Sequence, residues 1–235
     1  MKTKLFSLLT FAFLCLHISD INAQQIVNTY GIANIQKYSA ANEEVIKNPK
    51  KEKRVVFIGN SITAGWAKKH PDWFKENNYF GRGIGGQTSS QMLLRFYFDV
   101  VDLGADLVVI NAGTNDIAEN TGTYDLPFTL NNIKSMASIA RANGIKVILT
   151  SVLPHDHFNW RPTITDVTKK VDELNASIKA YANENNIPYL DYNSEMRDEK
   201  GAMKEGLSGD GVHPYDDTYF LMEKLVKNMI DEQLK

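Results

Sequence analysis

One cysteine is all that these 235 residues contain, and it lies at position 15 within an apolar run near the N-terminus. A single cysteine closes no internal disulfide. If that run is removed, no thiol nucleophile is left either. Charge is equally sparing: 26 basic against 28 acidic side chains give a net charge of −2, which argues against a nucleic-acid partner. Past residue 23 no apolar stretch is long enough to cross a bilayer, so a soluble mature chain without stable membrane insertion is expected. Internal repeats, low-complexity tracts and a second domain are also missing. Stability must therefore come from one sizeable core, for which about 210 residues are ample.

What is present begins with MKTKLFSLLTFAFLCLHISDINA. Two lysines precede an apolar run from Leu5 to Leu16, and a polar stretch ends at Ala23. That order predicts a signal peptide over residues 1–23, cleaved after Ala23, and hence an exported protein, periplasmic or secreted. Cys15 lacks the small residues that precede a lipidated cysteine. Residues 24–53 read as a polar N-terminal arm and linker, with a helix over Ile32–Val45 and the basic turn KNPKKEKR. The domain proper is expected over 54–235.

Within that domain, Val- and Ile-rich runs at Arg54–Gly59, Asp106–Ala112, Ile145–Val152 and Ile187–Tyr192 suit strands buried on both faces. Tyr79–Gly83 is a weaker fifth candidate. Between them, Leu130, Ile133, Met136, Ala137, Ile139 and Ala140 share a helical face that Gly144 closes. Val167, Val171, Leu174, Ile178 and Tyr181 repeat the scheme, and a last helix follows Pro214. The aromatic residues of LLRFYFDVV recur at helical spacing and read as core. Strand and helix in alternation predict a three-layer α/β/α sandwich around a parallel sheet of about five strands, with right-handed crossovers. Ligands of such sheets bind beyond the carboxyl ends of the strands.

Unusual loops follow the candidate strands: GNSITAG, GRGIGGQTSS and NAGTND, with SGDGVHPYD before the last helix. Ser61, in the first, reads either as a helix cap or as a nucleophile held at a strand end. A serine hydroxyl needs a base, and His213 supplies a neutral imidazole. Asp210, three residues earlier, can orient the other ring nitrogen. The oxyanion formed by acyl transfer needs preorganised donors. Gly86, before a helix-like segment, offers a backbone amide; the Asn115 carboxamide and the Ser61 amide are two more. Each such donor contributes about 3 kcal/mol to the transition state. Asp116 reads as an Asx-turn residue, and His70 as surface.

FIGNSITAG, RGIGGQTS, AGTND and DGVHP, in that order across residues 54–214, resemble the SGNH hydrolases, also called the GDSL lipase/esterase family. The GIGG block is similar to the branch of platelet-activating-factor acetylhydrolase catalytic subunits and bacterial acetylesterases. The resemblance implies a flavodoxin-like sheet and a cofactor-free Ser-His-Asp hydrolase, with Ser61, Gly86, Asn115 and His213 in the family's four named positions and Asp210 as triad aspartate. One departure is Asn60, where the family's GDS motif has aspartate.

HDHFNWRP, residues 155–162, offers His155, Trp160 and Arg161 to line a substrate entrance. His155 and His157 lack a third residue at metal-ligand spacing, so no metal is expected. The expected activity is removal of short acyl groups, above all O-acetyl, from a small-molecule or glycan ester. Lysophospholipase or thioesterase action on longer chains is the enzymatic alternative. A different class of reading makes GNSITAG and GRGIGG backbone nests for a phosphate or flavin, without catalysis.

Overall fold

The computed structural model describes residues 29–50 and 52–235, so the predicted signal peptide lies outside the described residues. The chain divides into Met1–Ile32 and Ala33–Lys235, and the sheet described below lies in the second unit. Five strands, β1 (Val55–Gly59), β2 (Tyr79–Gly83), β3 (Leu107–Ile110), β4 (Lys146–Thr150) and β5 (Tyr189–Leu190), form one parallel sheet in the order β2-β1-β3-β4-β5. The sheet reverses its winding at β1, so a crevice opens at the ends of β1 and β3, where such folds place their ligands.

Alternate residues of the central strands feed two cores. Val56, Ile58, Val108 and Ile110 face one layer, built from α4 (Ser89–Phe96), α5 (Leu126–Ala142) and α6 (Val167–Glu184). Val55, Phe57, Leu107 and Val109 face the other, built from α2 (Ser61–Lys69), α3 (Pro71–Glu76) and α7 (Asp216–Leu234). Burial on both faces is why these strands read as continuous apolar runs. The second layer is aromatic: Phe57 meets Trp66, Trp73 and Phe74 edge-on, with centroids 5.3–5.9 Å apart. Phe57→Ala would leave a cavity there costing about 3–5 kcal/mol.

Three expectations change. The single helix over Ile32–Val45 is interrupted: Thr29–Ala33 and α1 (Ser39–Lys47) are separated by a tight turn at Ile35–Tyr38. The break is at Asn34, whose φ of 50° is left-handed, a conformation that asparagine tolerates but that ends a helix. Of the LLRFYFDVV aromatics only Phe96 is core; Tyr97 and Phe98 are exposed because the helix widens by one residue per turn over Tyr97–Val101. His70 is buried rather than surface. Its Nδ1 lies 2.5 Å from Glu223 Oε1, and Trp66 Nε1 donates to the same oxygen, which ties α7 to the end of α2.

Candidate active site

Helix α2 begins at Ser61, immediately after β1. The capping role falls to Asn60, whose Oδ1 accepts the Ile62 N–H at 2.9 Å. That leaves the Ser61 hydroxyl free of the helix, and it lies 2.9 Å from His213 Nε2. Room for this arrangement comes from Gly83: a Cβ there would sit 2.2 Å from the Ala64 nitrogen, so only glycine lets β2 pass the first turn of α2.

Asp210 and His213 share one local turn, closed by a bridge between Ser208 and Pro214. Asp210 Oδ1 accepts the backbone N–H groups of His213 at 2.7 Å and Val212 at 2.9 Å. The second oxygen, Oδ2, accepts from His213 Nδ1 at 2.7 Å. Burial pushes the Asp210 carboxyl up, but those N–H donors and the imidazole outweigh it and hold the group well below the usual carboxylate range. An ionised Asp210 keeps the proton on Nδ1, so Nε2 faces Ser61 as an acceptor. Ser61, His213 and Asp210 thus form one hydrogen-bonded line assembled from the two ends of the domain.

The GIGG turn closes the other side. Gly86 adopts a φ of 76°, and a Cβ on Gly85 would lie 3.8 Å from that of Ser61. Asn115 stands in the short helical turn Thr114–Ile117 after β3, 3% exposed. Its Nδ2 donates to the Gln87 carbonyl at 2.9 Å, and its Oδ1 accepts from Asn120 at 3.1 Å. The carboxamide is therefore fixed in orientation, and its NH2 retains a second hydrogen for a ligand.

Asp116 is not an Asx-turn residue. Its buried carboxylate accepts the Ser89 N–H at 2.9 Å and the Ser89 hydroxyl at 2.5 Å, so it pins the first turn of α4 to the loop that carries Asn115. Burial raises its pKa against these hydrogen bonds. His155 does not line an entrance. It is wholly buried, 3.3 Å from both Thr114 Oγ1 and the Gly211 carbonyl, and burial lowers its pKa to about 4. Trp160 is 41% exposed, with its ring centroid 6.3 Å from that of His213 and its Nε1 donating to Asn120. Arg161, also exposed, reaches the Glu119 carbonyl at 3.4 Å. His157 pairs with Asp156, and among the described residues no three metal-ligating side chains cluster.

Sequence reasoning missed Gln87, Arg95 and Asn120, which hold the site from behind. Only the Thr88–Gln91 capping box at the start of α4 was written locally, as T-x-x-Q.

A parallel α/β/α sheet with a serine, an imidazole and a carboxylate aligned beyond its strand ends is the architecture of an ester hydrolase. The chain belongs to the GDSL-like lipase/acylhydrolase family, whose model matches residues 57–220. Two solved structures agree closely. One, named as an acylhydrolase, is from Bacteroides fragilis; the other, a GDSL-like lipase, is from Bacteroides thetaiotaomicron. Both are 53% identical with a TM-score of 0.84, and both alignments cover 86% of this chain and at least 98% of the other. A more distant likeness, of fold alone, is to an acetylxylan esterase from Geobacillus stearothermophilus at 18% identity and a TM-score of 0.57, covering 74% of this chain and 92% of that one. No curated protein matches the chain. The family is one of hydrolases, so the phosphate- or flavin-binding reading gives way to ester hydrolysis.

Proposed function

We propose that the protein is an exported serine esterase that removes short acyl groups, acetyl above all, from a carbohydrate alcohol. The observation that carries the chemistry is the unbroken line Ser61–His213–Asp210, with contacts of 2.9 and 2.7 Å. Ser61 Oγ attacks the ester carbonyl as His213 Nε2 takes its proton. The negative charge passes to the carbonyl oxygen, met by the Ser61 and Gly86 amides and the Asn115 NH2. His213 then returns the proton to the departing alcohol, leaving an acetyl-serine that water opens by the reverse sequence. Asp210 stays ionised throughout and stabilises the imidazolium.

The carbohydrate reading rests on what surrounds His213, where the alcohol must leave. Trp160 presents an exposed ring there, anchored by Asn120 and by Phe158 at a centroid distance of 5.1 Å. Such a face suits a sugar ring. Export follows from residues 1–23 alone.

The test is hydrolysis of p-nitrophenyl acetate, butyrate and octanoate by the mature chain beside Ser61→Ala. Turnover that requires Ser61 and falls steeply beyond acetate is expected, with acetate release from acetylated xylan as the next measurement. Turnover that rises with chain length would move the substrate to lipids. Equal activity of the two proteins would remove Ser61 as the nucleophile.

A further inference from the structure

Behind the site lies a buried polar network that the reaction does not use directly. Its centre is Gln87, 3% exposed and next in sequence to Gly86. The Gln87 backbone carbonyl holds the Asn115 carboxamide at 2.9 Å. Its side-chain oxygen accepts from Arg95 Nε at 2.6 Å, and its side-chain nitrogen donates to the Ala33 carbonyl at 2.7 Å. Two candidate oxyanion donors, Gly86 and Asn115, are thus set by one residue whose amide is gripped at both ends.

Each grip leads to the N-terminal segment. Arg95 is fully buried and donates to the carbonyls of Gly59 at 3.0 Å and Arg82 at 2.8 Å, the ends of β1 and β2, and to Asp99 at 2.7 Å. Asn42 completes that pair: its Nδ2 donates to Asp99 at 2.8 Å while its Oδ1 accepts from Arg82 Nε at 2.8 Å. Tyr38 donates its hydroxyl to the Gly83 carbonyl at 2.5 Å, and its ring lies 4.9 Å beneath the Arg82 guanidinium. Ala33 therefore holds Gln87 beside the GIGG loop, Tyr38 holds the end of β2, and Asn42 holds Arg82 and Asp99, the carboxylate that pairs with Arg95. None of the three falls within residues 57–220, which the family model matches.

We infer that the segment Ala33–Asn42 is a positioning element of the oxyanion hole, acting through Gln87 and Arg95, and that this stretch sets kcat by fixing the donors from behind. The inference rests on the esterase reading above. Its physical basis is that a donor accelerates acyl transfer only where it is held against the developing charge, and that a misplacement of about 1 Å costs up to about a hundredfold. Gln87 Nε2 and the Tyr38 hydroxyl are the two bonds that carry the N-terminal segment to the loop.

The experiment uses the full mature chain and p-nitrophenyl acetate, with Gln87→Met, Tyr38→Phe, Asn42→Ala and the Ser61→Ala control. Rates are read well below the lowest melting temperature, and melts are recorded alongside. Gln87→Met should lower kcat about tenfold or more, and Tyr38→Phe and Asn42→Ala several-fold, each with KM within about twofold of the parent. A purely structural network would instead lower the melting temperature and leave kcat unchanged; that result, or a rise in KM alone, overturns the inference. If Gln87→Met does not fold, Tyr38→Phe and Asn42→Ala decide by the same criterion. Full activity in Ser61→Ala would overturn the esterase reading and this inference with it. An inactive Ser61→Ala beside unchanged kcat in the other variants would overturn this inference alone.

Discussion

His155 offers a test in which stability, rather than rate, reports where a side chain sits. Burial is the main reason its pKa lies at about 4, with the Gly211 carbonyl partly opposing that shift. In the unfolded chain the imidazole titrates near its ordinary value of about 6.5. Between those two values the unfolded state binds a proton that the folded state refuses, so stability must fall as pH is lowered through 6.5 towards 4. At pH 4.5 the unfolded ring is almost entirely protonated and the folded ring about one quarter so, which amounts to a loss of about 2 kcal/mol relative to pH 7. Asp106 and Asp210, both held below the usual carboxylate range, keep most of their contribution at pH 4.5, because it is lost only as pH falls through and below their unfolded values. Asp116 titrates in the opposite sense but is common to any pair of variants compared.

The perturbation is His155→Gln, which is neutral at both pH values and retains an amide. Urea unfolding of the two mature chains at pH 7 and pH 4.5 gives four free energies. The absolute stability of the variant does not matter; what counts is the change with pH, which should be about 2 kcal/mol smaller in His155→Gln. Equal pH dependence in both proteins would refute the reasoning. It would mean that His155 protonates freely in the fold and belongs to the solvent-facing wall that the sequence suggested.

Asn115→Ala should lower kcat by about 10²–10³-fold with little change in KM, as loss of one oxyanion donor does; an effect confined to KM would remove Asn115 from that role. Trp160→Ala should raise KM for an acetylated oligosaccharide while sparing p-nitrophenyl acetate, and equal effects on both substrates would show that the ring does not select the acceptor. Asn60→Ala should cost about 1 kcal/mol in urea unfolding through loss of the α2 cap, and an unchanged midpoint would show that the Ile62 N–H is satisfied without it. Expression with the native N-terminus in a Gram-negative host should yield a periplasmic protein beginning at Gln24, and a cytoplasmic product that keeps Met1 would contradict the leader.

Local chemistry wrote much of this protein into its sequence. The strands at Val55–Gly59 and Leu107–Ile110 were legible because burial on both faces leaves an uninterrupted apolar run, and α5 and α6 because burial on one face leaves a stripe. Asp210 and His213 could be paired because three residues of one tight turn bring carboxylate to imidazole with no help from the rest of the chain. The order of the four loops identified the family, and with it the side chains that could meet.

Tertiary structure alone decided what depends on residues distant in sequence. Ser61 and His213 are 152 positions apart, and their 2.9 Å contact exists because α7 packs on the same face of the sheet as α2. His155 reads as a polar loop residue, yet packing around Thr114 and Gly211 excludes water from it and reverses its expected role. His70 is withdrawn from the surface by Glu223, and Asp116 is claimed by Ser89, a hydroxyl and an amide on another helix. Gln87 stands within the RGIGGQTS block and Arg95 outside any motif, yet neither role was legible, because a buried side chain that bridges strand ends and a distant carbonyl has no fixed spacing to betray it. Spacing records what neighbours along the chain do for one another; partners brought together by the sheet leave no such trace.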